Sequence, residues 1–231
     1  MGKQPGAERN HEPFDVLKDQ LRSRLLKYTE KAFRMMPQTD KPKILDIGCG
    51  SGIPTLELAR LGQGEVIGID IDQTVLDKFA EKIAAAGINK QVKAFNCSLF
   101  DIDFPEESFD VIWAEGAIHT IGFERGLREW RWLLKPGGAM VIHDEQGDVK
   151  DKLEQMSDCG YELLGYFLLG EGTWRREYFA PLEKLLAESQ TNMPVNPKVI
   201  EEIRQAQEEL DMFRKNPEGN SSVFFVMRRK Y

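Results

Sequence analysis

The sequence predicts an α/β fold: a doubly wound, mostly parallel seven-stranded sheet, with helices ahead of it and a helical insertion before the last strand. Three observations carry this reading. The apolar run Ile44 to Ile47 ends in Gly48-Cys49-Gly50-Ser51-Gly52 and continues into Ile53-Pro54. That is the pattern of a buried strand, a glycine turn and a helix start. Short apolar runs then alternate with helical periodicity as far as residue 169, which implies parallel strands with helices on both faces and right-handed crossovers. The alternation breaks after residue 169, where two helical patterns follow one another before a closing strand.

The 231 residues are enough for one well-packed domain, read here as residues 14–231. A net charge of −7 and a pI near 5.2 argue against a nucleic-acid surface, which needs a basic field. Cys49, Cys97 and Cys159 are far apart and odd in number, the usage of reduced thiols in a cytoplasmic protein. No apolar run approaches the ~18 residues of a membrane span. Met1 to Pro13 is polar and without the apolar core of a signal peptide, and Gly6 stands where a myristoylation motif needs Ser or Thr. Residues 1–13 are therefore expected to be disordered.

Taken in order, Phe14, Leu17, Leu21, Leu25, Tyr28 and Ala32 recur at helical spacing, so one or two amphipathic helices over 14–40 precede the sheet and are expected to pack over its edge. A helix over 54–61 follows the glycine turn, then a strand from Glu65 to Asp70. A helix through Val75, Leu76, Phe79 and Ile83 ends at Gly87, a favourable C′ residue. Gln91–Phe95 and Phe109–Ala114 read as strands three and four. A helix is expected through Leu127, Trp130, Leu133 and Leu134, and Lys135-Pro136-Gly137-Gly138 reads as a turn before strand five, Ala139–His143. A helix over 149–158, strand six at Tyr161–Leu169, helical patterns over 175–189 and 198–215, and strand seven at Ser222–Met227 complete the chain. The segment 170–216 is the insertion.

The chemistry centres on the glycine turn and on Asp70, 18 residues beyond Gly52, where a carboxylate can accept from both hydroxyls of a ribose. The spacing is G-x-G-x-G. A dinucleotide site needs G-x-G-x-x-G, and position 53 is Ile, so the glycine that packs helix on strand is expected to be missing.

The whole string resembles the class I S-adenosylmethionine-dependent methyltransferases. Leu45 to Gly52 looks like their first motif and Asp70 like the acid of their second. Pro105 to Ala114 is similar to the strand-four motif, and Leu133 to Gly138 to the turn before strand five. Glu115 to Leu134 is most similar to the small-molecule branch that includes the ubiquinone/menaquinone biosynthesis type. The resemblance implies a Rossmann-like fold and S-adenosyl-L-methionine as cofactor. It puts the Gly48–Cys49–Gly50 backbone against the methionine part, Asp46 near its ammonium, Asp70 on the ribose, and Ile71 on the adenine. Cys97-Ser98-Leu99 falls where many members have Gly-Asp-Ala, so Ser98 departs from the pattern; Asp101 is a nearby substitute. Glu115 would border the sulfonium.

A sulfonium methyl is already electrophilic, so the protein's task is alignment and exclusion of water, with a base only where the acceptor loses a proton. His119, in the loop after strand four, is the candidate base or pocket-lining residue. His143, beside Asp144 and Glu145, suits a bracing or capping role, and no metal site is expected. Tyr28, Trp174 and Tyr178 are candidate substrate contacts, with core packing as the competing role. Trp113, Trp130 and Trp132 read as structural. The sequence thus predicts an enzyme that methylates a small molecule. The alternatives are a non-catalytic cofactor-binding scaffold or regulatory subunit and, disfavoured by the glycine spacing, a nicotinamide-dependent oxidoreductase. The partners expected are the small-molecule acceptor, no nucleic acid, no membrane, and a possible second copy of the chain in a homodimer.

Overall fold

In the computed structural model, residues 13–191 and 196–231 are described. The disorder expected at the N-terminus falls, apart from Pro13, outside them. Two helices, α1 (Phe14–Ser23) and α2 (Leu26–Met35), precede the alternating part. There follow β1 (Ile44–Ile47), α3 (Ile53–Gly62), β2 (Val66–Asp70), α4 (Gln73–Ala86), β3 (Val92–Asn96), β4 (Phe109–Glu115), α5 (Phe123–Trp130), β5 (Leu134–Glu145), α6 (Val149–Asp158) and β6 (Tyr161–Leu169). The insertion holds α7 (Glu171–Trp174), a π-helical turn (Arg175–Phe179), α8 (Ala180–Thr191) and α9 (Pro197–Lys215), and β7 (Ser222–Arg229) closes the sheet.

The strand order is β3-β2-β1-β4-β5-β7-β6, parallel from β3 to β5. β7 runs antiparallel to both its neighbours, with Ser222 opposite Leu169 of β6 and Glu145 of β5. This register fixes where the insertion sits. Since β6 ends and β7 begins beside the end of β5, helices α7 to α9 stand at the same sheet edge as the glycine turn. Period-two alternation sends Leu45, Ile67, Ile112 and Ile142 into one core layer and Ile44, Val66, Val111 and Val141 into the other.

The glycine turn is shaped by one aromatic ring. Gly48, Gly50 and Gly52 all have positive φ, where a side chain is strained. A Cβ on Gly52 would lie 2.0 Å from the ring of Phe79 on α4, and one on Gly68 of β2 would lie 2.9 Å from the same ring. Position 53 is Ile, as expected, and close packing at the turn is instead between Gly52 and α4. Beside Gly50, and apart from its two chain neighbours, no atom of the described residues lies within 4 Å of the Cβ position.

The structure differs from the sequence reading in four places. The helix over 127–134 stops at Trp130; Arg131–Leu133 is a 3-10 turn and Leu134 already belongs to β5. Lys135–Gly138 is an excursion inside β5, because Phe109 pairs with Leu134 and Val111 with Ala139. Trp132 is 57% exposed, whereas Trp113 and Trp130 are buried as expected. Only α2 packs against the sheet layers, through Ala32; α1 joins the insertion, where Phe14 shares a third apolar cluster with Tyr178, Phe179, Leu182, Leu210 and Phe213. Ion pairs from Lys78 of α4 to Asp15 and Glu202 tie that assembly down. Asp19 of α1 accepts from the Ser51 hydroxyl at 2.9 Å and is paired with Lys82.

The glycines are therefore not equivalent. Gly52→Ala should lower unfolding stability by about 2–4 kcal/mol, combining a clash with backbone strain. Gly50→Ala should cost only about 1 kcal/mol, the strain alone. Urea unfolding of the two variants tests this, and equal losses would contradict the role given to Phe79.

Candidate active site

Two cavities meet at the glycine turn, and Gly48 and Gly116 form part of the wall of both. The smaller, about 270 Å3, is lined by Asp70, Ile71, Cys97, Ser98 and Leu99 among others. The larger, about 630 Å3, lies between the sheet edge and the roof made by α1, α2 and the insertion. Tyr28, Thr29, Glu115, His119, His143, Trp174, Tyr178 and Phe224 line it.

In the smaller cavity, Asp70 ends β2 with one carboxylate oxygen accepting from the Gly50 N–H at 2.9 Å and the other from the Asp72 N–H at 2.9 Å. A carboxylate has about four lone-pair sites, so each oxygen keeps accepting capacity. Ile71, 72% exposed, forms an apolar lip. The Ser98 hydroxyl accepts from the Phe100 N–H at 3.3 Å. Asp101 is exposed and lines neither cavity.

Asp46 is placed differently. Alternation on β1 turns it under the turn, where it is buried, accepts from the Thr55 hydroxyl at 2.6 Å, and lines neither cavity. Burial, opposed by that hydrogen bond and reinforced by the charges of Glu115 and Asp70, pushes its carboxyl up to about 7. The Cys49 thiol is also pushed up by burial, so it is an inert wall group.

The larger cavity holds a network that the sequence reading saw only in part. Glu115, at the end of β4, accepts on Oε1 from the Thr29 hydroxyl at 2.9 Å and from the Trp113 indole N–H at 2.8 Å. Burial pushes its carboxyl up to about 7, against the pull of those two bonds. His143 lies opposite Glu115 in the β4–β5 register, with Nδ1 3.9 Å from Oε2. This is not an ion pair, because burial holds the imidazole down at about 3 and therefore neutral. No lysine or arginine lies within ion-pair distance of Asp46 or Glu115 among the described residues. His143 Nε2 is 2.8 Å from the Ser222 hydroxyl, which also accepts from the Trp174 indole N–H at 3.0 Å. Its ring stacks on Phe224 with centroids 4.0 Å apart.

His119 sits in a 3-10 turn, Ile118–Thr120, at the exposed part of the larger cavity. Tyr28 and Trp174 are half-buried, and Tyr178 is buried in the π-helical turn. All three lie in the same wall system as His119. Sequence reasoning missed Thr29, Ser222 and Phe224. It read Trp113 as structural only, although its spacing of two from Glu115 puts both on one strand face.

An open α/β sheet with a glycine turn, an acid ending the second strand and a cavity at the carboxyl edge is an architecture suited to a nucleoside-bearing ligand at that edge. The family described as methyltransferase domain matches residues 44–138. The match spans 95 of the 231 residues and covers the glycine turn, Asp70 and Glu115. The chain is 26% identical over 140 residues to the 27-O-demethylrifamycin SV methyltransferase of Amycolatopsis mediterranei (strain S699), covering 60% of this chain and 52% of that protein. It is 30% identical over 117 residues to methyltransferase GfsG of Streptomyces halstedii, covering 50% and 42%. The chain thus spans about half the length, or less, of these curated relatives. The solved structure of the cyclase SpnF superposes with a TM-score of 0.73 at 20% identity, covering 88% of this chain and 81% of that one, a likeness of fold.

The buried acids set a pH dependence. Folded Asp46 and Glu115 hold their protons more tightly than the unfolded chain does, so their contribution to stability falls as pH rises from about 4 to about 7. Glu115→Gln removes one share. Between pH 5 and pH 8 the parent should lose about 1–3 kcal/mol more stability than this variant in urea titrations. Parallel losses would show that Glu115 titrates normally.

Proposed function

We propose that this chain binds S-adenosyl-L-methionine across the glycine turn and catalyses transfer of its methyl group to a small-molecule acceptor held in the larger cavity. The observation that carries the reading is the position of the turn, with Asp70 in the cavity on one side and the roofed cavity on the other. The residues fit the cofactor: the cradle beside Gly50 is clear of side chains among the described residues, and each Asp70 oxygen keeps accepting capacity in its cavity. The family match and the methyltransferase relatives support the same reading.

When bound, the cofactor supplies an electrophilic methyl on a sulfonium sulfur. Asp70 holds the ribose hydroxyls, Ile71 and Leu99 flank the adenine, and Ser98 offers a hydroxyl where an acid is more usual. The Gly48–Cys49–Gly50 backbone lies along the methionine part, and Asp46 acts on its ammonium through space from beneath the turn. Glu115 borders the sulfonium from the acceptor side. Tyr28, Trp174 and Tyr178 exclude water and align the acceptor, and His119 at the mouth is a group able to take a proton.

A net charge of −7 supports an acceptor other than nucleic acid. Three free cysteines, and no helix among the described residues long and apolar enough to cross a membrane, support a cytoplasmic protein. Exposed Leu163, Tyr166 and Leu168 on the edge strand β6 support a homodimer. The second reading is a non-catalytic cofactor-binding scaffold, since the fold alone does not specify methyl transfer.

Calorimetry with S-adenosylhomocysteine should give a Kd on the order of micromolar. Asp70→Ala should weaken it about 10–100-fold by removing a charged acceptor, and Gly50→Val should abolish it by filling the cradle. No binding at millimolar ligand overturns the proposal. Binding without transfer to any acceptor favours the scaffold.

A further inference from the structure

Glu115 and His143 form a pair with one side left unsatisfied toward the larger cavity. Oε1 of Glu115 is committed to Thr29 and Trp113, while Oε2 has no hydrogen bond among the described residues. The His143 ring is held at its Nε2 edge by Ser222 and packed between parallel aromatic neighbours. It stacks on Phe224 with a 4° tilt and lies parallel to Trp174 with centroids 5.9 Å apart. An indole N–H only donates, so the Ser222 oxygen accepts from Trp174, and the Ser222 hydroxyl hydrogen is free for Nε2 of His143. That arrangement uses the Trp174 and Ser222 donors and puts the ring proton on Nδ1, facing Glu115 with no acceptor at hydrogen-bond distance among the described residues.

The two groups, Oε2 and Nδ1–H, are 3.9 Å apart, with His143 12% and Glu115 16% exposed at the side chain. A single oxygen at hydrogen-bond distance from both subtends roughly 90°, within reach of a hydroxyl that donates one bond and accepts the other. We propose that this pair is a hydroxyl clamp, that the methyl acceptor is an alcohol or a phenol, and that Glu115 takes its proton during transfer. This rests on the methyltransferase reading above.

The lone-pair count favours oxygen. A neutral amine has one lone pair, and accepting from Nδ1–H would occupy the pair that must attack. A hydroxyl has two, one for Nδ1–H and one for the methyl carbon. As the new C–O bond forms, the electrons of the S–C bond go to sulfur and the hydroxyl proton goes to Oε2 of Glu115, leaving a methyl ether, a neutral thioether and a neutral carboxyl. An anionic acceptor group would meet Glu115, backed by Asp46 and Asp70, with Arg22 the only lysine or arginine among the described residues lining the cavity. The high proton affinity of Glu115 suits a base working near neutral pH.

The test uses phenol and anisole, which differ by the hydroxyl proton, titrated into the full chain saturated with S-adenosylhomocysteine. Phenol should bind about tenfold more tightly or better, and it alone should shift the Nδ1 proton resonance of His143. Glu115→Gln should cut the preference below threefold. His143→Phe, which keeps the stack and removes the N–H, should do the same and serves if the first variant fails to fold. With S-adenosylmethionine the parent should convert phenol to anisole, about 100-fold faster than Glu115→Gln. Equal affinity for the two probes, a preference that survives both substitutions, or no anisole overturns the clamp, while intact S-adenosylhomocysteine binding leaves the cofactor site standing. Failure of the parent to bind S-adenosylhomocysteine overturns the methyltransferase reading and the clamp with it.

Discussion

The ring of Phe79 is the constraint on which the site depends. It fills the space that Gly52 and Gly68 leave by having no side chains, so it holds the glycine turn and the middle of β2 to one helix at once. Because β2 ends two residues beyond Gly68, the same packing sets Asp70 at hydrogen-bond distance from Gly50. The turn then has one shape, with Gly50 in the wall of the larger cavity. A close-packed contact of this kind tolerates little change of volume.

The second organising fact is electrostatic. Asp46 and Glu115 are largely removed from water, with hydrogen-bond donors but no lysine or arginine at ion-pair distance among the described residues. Burying acids in this way destabilises the charged forms, and perturbed acids of this kind cluster at functional sites. The groups that satisfy Glu115 and orient His143 come from α2, β4, α7 and β7. The larger cavity is therefore complete only when the roof is seated. Its seating includes charged contacts to α4 and the Asp19–Ser51 bond to the glycine turn itself.

The parts legible in the sequence were those whose cause is local. Glycines at positive φ, an apolar four-residue strand, an acid at a strand end and a capping glycine at 87 announce themselves within a few residues. The excursion in β5 was misread because Lys-Pro-Gly-Gly has turn chemistry, while the pairing of Leu134 with Phe109 is a decision made by the neighbouring strand. The stripe on α1 said that the helix had to be covered but not by what; its cover is the insertion, more than 150 residues away. The burial of Asp46 beneath the turn follows from alternation on β1, which turns it away from the Leu45 and Ile47 face. Thr29 and Ser222 meet the site only through tertiary structure, and no pattern in the chain marks them.

The two backbone bonds to Asp70 carry a further consequence. The acid assigned to the ribose already holds Gly50 and Asp72 in place without any ligand. Its orientation and that of the turn are thus preorganised, and little conformational entropy is left to lose on association. Affinity at this end should accordingly be governed by how fast the ligand leaves, not by a slow rearrangement on entry. The roofed end, assembled from distant segments, is where slower steps of loading and release belong.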